Sequence, residues 1–99
     1  VTRDEVVAWL EGRRPEAPPT LATHLRDLVV DGSGTLPEVL AAHGQASLAR
    51  VLAQPGAGRG LALDLLASDA LVTYAFEAQA EQEWHGLVAL ARWISGGEG

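Results

Sequence analysis

The sequence predicts an all-α fold, a compact bundle of four to five short helices around a central helix at about residues 60–80. Three observations predict it. Leu and Ala, strong helix formers, dominate the hydrophobic residues, while β-branched residues are sparse. No stretch of useful length alternates apolar and polar residues as a strand would. Segment 61–76, placed on a helix at about 100° per residue, carries two apolar stripes rather than one. Leu61, Leu65, Val72 and Phe76 make the first, and Leu63, Ala67, Ala70, Leu71 and Tyr74 lie on roughly the opposite side. A helix with two apolar sides needs neighbours against both, from its own chain or from a second one.

The elements follow in order. Thr2-Arg3-Asp4-Glu5 has the form of a capping box, so a first helix runs over about 3–12, with Val6, Val7 and Leu10 on its apolar face and Trp9 at the margin. Pro15, Pro18 and Pro19 make 13–19 a stiff connector. Thr20 is placed to cap a second helix whose Leu21, Leu25, Leu28 and Val29 share one face. Gly32 serves as its left-handed stop. Thr35-Leu36-Pro37-Glu38 is a second capping box and opens a third helix, lined on its inner face by Leu40, Leu48, Val51 and Leu52. Ala and Gly44 between them permit a close neighbour.

Residues 54–60 form a Pro- and Gly-rich loop, and a fourth helix starts near Arg59 and continues through Phe76. No proline or clean cap follows. An unbroken helix to Ile94 would be about 50 Å long, more than so small a core needs. The expectation is therefore a break or kink between 79 and 86, then a fifth helix with Trp84, Leu87, Ala91 and Ile94 facing inward. Residues 95–99 are expected to fray.

Composition excludes several classes. The 99 residues suit one domain and contain no Cys, which removes disulfides and thiolate metal sites. The net charge is −6, and the seven basic residues, all Arg, are scattered apart from the Arg13-Arg14 pair. An acidic chain without a basic cluster is a poor nucleic-acid binder. No apolar run is long enough to span a bilayer, and Asp64 and Asp69 interrupt the nearest one, so no membrane role is expected and the chain reads as cytoplasmic.

Motifs with chemistry are few. His24 and His43 sit at the margins of apolar faces, where a hydrogen bond satisfies them, and no nucleophile–base pattern accompanies any of the three histidines. Glu77, Glu81 and His85, at i, i+4 and i+8, form a polar stripe that offers an incomplete metal-ligand set. Residues 55–60 lack the spacing and the Lys-Ser/Thr of a phosphate loop, although Arg59 near a helix start could attract an anion. Asp31-Gly32-Ser33-Gly34-Thr35 lacks the pattern of a calcium loop. Asp64 and Asp69 fall between the two stripes of the fourth helix and are expected to reach solvent or an arginine such as Arg26 or Arg50. Trp84 and Trp93 lie about 180° apart, so only one can face a core, leaving the other for an interface.

The sequence thus points to a non-catalytic interaction or self-association module without a cofactor. Its partner would be itself, as a homodimer, or another protein, through a surface including Trp84, Trp93, Leu63, Leu71 and Tyr74. A helical metal or small-ligand binder using Glu77, Glu81 and His85 is the alternative.

Overall fold

The structure is a computed structural model that describes residues 1–54, 56 and 58–96. Its four helices are α1 (Arg3–Glu11), α2 (Pro19–Leu28), α3 (Leu36–Ala53) and α4 (Arg59–Gly96), with no strand among the described residues. The all-α class is therefore as the sequence predicts. Both capping boxes form: the Thr2 hydroxyl accepts from the Glu5 N–H and the Thr35 hydroxyl from the Glu38 N–H, with each glutamate reaching back. The entry to α2 differs. The helix begins at Pro19 with Pro18 as N-cap, so Thr20 lies inside it, because proline's fixed φ suits the first helical position. Nor is Gly32 left-handed; that conformation belongs to Gly34, at φ 102°. Gly32 is small for another reason, since a Cβ there would stand 2.8 Å from Val39 Cγ2.

The expected break between 79 and 86 is absent. α4 is one helix of 38 residues, about 57 Å long. Ala80, Glu81, Gln82 and Glu83 are all good helix formers, and Gln79 Nε2 donates to Glu83 Oε1 at 3.2 Å across the suspected break. Gly86 alone, at about 1 kcal/mol, does not stop the helix. The molecule therefore measures 60 × 24 × 19 Å rather than forming a compact bundle.

α3 and α4 pack as an antiparallel hairpin, and α1 and α2 close over one side. The core contains Val6, Leu25, Val29, Val39, Leu40, Ala67, Leu71, Ala75 and Ala78. Burying a side chain such as Leu40 or Leu71 contributes about 1.5–3 kcal/mol. The hairpin is tightest at Gly44, where a Cβ would meet Val72 Cγ2 at 2.8 Å and Ser68 O at 3.3 Å. Ser68 Oγ donates to Gly44 O at 3.0 Å, which satisfies the hydroxyl inside the contact. The inner face of α3 thus runs through Leu40, Gly44 and Ser47, with Val51 half-buried, whereas Leu48 and Leu52 are exposed.

The two flanks of α4 fare differently. Ala67 and Leu71 are fully buried, and Leu63, Ala70 and Tyr74 half-buried. On the other flank Leu61 is half-buried and Val72, at 37%, packs against Gly44, while Leu65 and Phe76 lie open, Phe76 at 72%. The expectation of a helix enclosed on both sides is not met within one chain, since α1, α2 and α3 leave Leu65 and Phe76 exposed.

Candidate functional site

Past Ala78 the inward side of α4 carries Gln82, His85, Ala89, Arg92 and Trp93, all of them exposed, with no large aliphatic residue among them. Large apolar residues continue instead on the side that carries Leu65, Val72 and Phe76 in the body of the molecule. The helix consequently leaves the body as an arm. Trp84, Leu87, Leu90 and Ile94 lie exposed on that side, with Val88 half-buried, and Trp93 is exposed on the other. The inward placement expected for Trp84, Leu87, Ala91 and Ile94 is therefore corrected: all are exposed, and so is Trp93, because the arm extends beyond the core.

The base of the arm is held by a cluster of side chains from α1, the connector that follows it, and α4. Trp9 Nε1 donates to Glu81 Oε1 at 3.0 Å, and Arg13 donates to Glu81 Oε2 at 2.7 Å. The Arg13 guanidinium lies 3.7 Å from the Trp9 ring centroid, and the Trp9 ring meets Tyr74 edge-on at 5.9 Å. Such cation–π and aromatic contacts each contribute about 0.5–1.5 kcal/mol. Hydrogen bonds from Arg13 and then Trp9 hold the Glu81 carboxyl below its ordinary pKa. Burial, then the charge of Glu77, pushes the Tyr74 phenol up, against an opposing pull from Arg13.

This arrangement redistributes the residues singled out in the sequence. Leu71 lies in the core and Tyr74 rests on Trp9, so neither these nor half-buried Leu63 presents a free surface; Trp84 and Trp93 do. Both Glu81 oxygens are engaged by α1 and its connector, Glu77 stands 3.9 Å from Arg13, and His85 lies exposed on the arm. The stripe expected to offer metal ligands is thus spent on an internal clamp. No group of three His, Asp or Glu side chains among the described residues could hold a metal ion. The clamp itself was not legible in the sequence: Trp9 and Glu81 are far apart along the chain and share no motif.

The remaining polar residues are satisfied locally. His24 Nε2 donates to Asp64 Oδ1 at 2.7 Å, so Asp64 pairs with a histidine rather than with Arg26 or Arg50. His43 carries its proton on Nδ1, donating to Val39 O at 2.7 Å while Nε2 accepts the Val30 N–H. Asp69 is exposed and makes no ion pair among the described residues. A cleft of about 290 Å³ lies between α1 and α2, floored by Leu10, Ala22 and Leu25. Its arginines are already engaged, Arg13 by Glu81 and Arg26 by Glu11 at 3.8 Å. Neither the cleft nor either histidine contact places a nucleophile beside a base. Part of the suspected anion loop, Pro55, Ala57 and the Arg59 side chain, lies outside the described residues, as does 97–99 of the tail expected to fray; Ser95 and Gly96 are helical.

No known family model, curated protein or solved structure matches this chain. No helix among the described residues is apolar enough over sufficient length to cross a membrane.

Proposed function

We propose that this protein is a non-catalytic self-association module whose working surface is the outward side of α4. The observation that carries this reading is the arm: Trp84, at 64% exposure, Leu87, Leu90 and Ile94, at 66%, stand on one side of a helix that no other described residues cover. Contiguous apolar surface of this extent on a small chain marks a contact site. Trp at such a site is a favoured anchor. The clamp of Trp9 and Arg13 on Glu81 supports the same reading, because it fixes the direction in which the arm leaves the body. Pre-organised helices lose less entropy on binding.

Sedimentation velocity from about 1 to 100 µM tests the reading, a range matched to interfaces of standard size. A concentration-dependent dimer is the expected result. Leu87→Glu/Leu90→Glu should return it to monomer while leaving the body's melting transition within about 0.5 kcal/mol, as substitutions away from the core do. A wild-type chain that stays at 10.4 kDa throughout removes the proposal.

A further inference from the structure

The body leaves a sector of α4 uncovered, running round the helix from Val72 to Glu77 and including Leu65, Leu66 and Phe76. The apolar side of the arm lies in the same sector. One stripe therefore runs unbroken in direction from Leu65 to Ile94, about 44 Å along the helix axis. Covering only the arm would leave the body's flank bare. A second copy laid antiparallel covers both at once.

Ala80, small and exposed near the middle of the stripe, marks the symmetry point. With Ala80 opposite its own copy, Trp84 meets Phe76, Leu87 meets Thr73 and Ile94 meets Leu66. Large residues then face mainly those that the body leaves bare. The exposed apolar side chains on the stripe supply on the order of 800 Å² per partner, which is what an interface of standard size buries. Charge selects the orientation. A parallel pair would set Asp69 against Asp69 and Glu83 against Glu83 within the seam, where like charges oppose association. The antiparallel pair separates them: Asp69 lies beside Leu90 and Ala91, and Glu83, level with Glu77 of the other copy but on the opposite edge of the seam, lies beside Phe76 and Gln79.

We infer that two copies of this chain pair antiparallel along α4 about Ala80, the arm of each on the bare flank of the other, with Asp69 and Glu83 inside the seam and loosening it. This rests on the self-association reading and adds orientation, register and a charge brake. Carboxylates brought beside apolar groups lose hydration without gaining a partner, so each one weakens the pair.

The chain has no cysteine, which makes crosslinking clean. Thr73→Cys and Leu87→Cys chains, mixed and oxidised, should give the mixed disulfide as the main product by mass. Predominance of the Thr73→Cys homodisulfide means parallel pairing and overturns the inference while self-association stands. A dimer that forms neither product has another register and equally overturns it. In sedimentation, Asp69→Asn/Glu83→Gln should tighten the dimer by about tenfold through lifting the desolvation cost. An unchanged or weaker dimer places those carboxylates outside the seam and rejects the brake. A wild-type monomer at every concentration overturns this inference together with the reading beneath it. Every substituted position is exposed, so folding of the body is not at stake.

Discussion

Gly44 is the position where one methyl group would be felt most. A Cβ there meets the Val72 side chain at 2.8 Å and the backbones of Ser68 and Val72 at 3.3 Å, so the helices themselves must shift. Gly44→Ala should therefore destabilise the fold by about 1–3 kcal/mol in urea unfolding, despite the roughly 1 kcal/mol that alanine gains in helix propensity. The same close approach explains why Leu48 and Leu52 are misplaced when the sequence is read alone. Weighting α3 by its largest hydrophobes turns leucines inward, but close helix contact selects the side with glycine and serine. Glu81 gives the clearest pH signature at this scale. Its folded pKa is depressed by Arg13 and Trp9, so its stabilisation is fully present above the unfolded carboxyl value of 4.5 and is lost as pH falls through the lower folded one. Acid unfolding followed by Trp fluorescence should show this loss below about pH 4.5, and Glu81→Gln should flatten that part of the profile. Glu38, held down by its Thr35 cap, adds a slope of the same sign.

At the scale of elements, α4 carries the result. Both capping boxes were readable because their donors and acceptors sit within one turn. The continuity of α4 was locally readable too, since residues 79–85 contain neither proline nor glycine. The break was expected on the premise that so small a domain folds back on itself. The structure sets that premise aside: past Ala78 the inward side, with Gln82, His85, Ala89, Arg92 and Trp93, is exposed, so helix formation continues where core formation stops. Gly86 sits in this stretch with nothing within 4 Å of a would-be Cβ. Gly86→Ala should therefore stiffen the arm, slowing amide exchange around it by about fivefold for a gain near 1 kcal/mol. Unchanged exchange would mean that the arm is already held by packing against something other than solvent.

For the whole molecule, a radius of gyration of 16.4 Å exceeds the roughly 13 Å of a compact chain this long. The excess comes from the arm. In the proposed pair, two chains of net charge −6 bring like charges together, while the seam apart from Asp69 and Glu83 is mainly apolar. Raising ionic strength from about 0.01 to 0.15 M shortens the screening length from about 30 to 8 Å, so added salt should tighten the dimer. A dimer that weakens with salt would instead be held by ion pairs, and the apolar stripe would not be its interface. The dimer's melting temperature should also rise with protein concentration, as mass action requires.

The sequence alone determined the helical class, both capped helix starts, the absence of strands among the described residues and the unusual apolar content of both flanks of 61–76. These properties depend on residues within a turn or two of one another. Which flank is covered, which side of α3 turns inward and how α1 anchors α4 were decided only in three dimensions. Trp9 and Arg13 reach Glu81 from the opposite end of the chain, and no local pattern records that meeting. Periodicity tells how many apolar sides a helix has, whereas the path of the rest of the chain decides which of them it can cover.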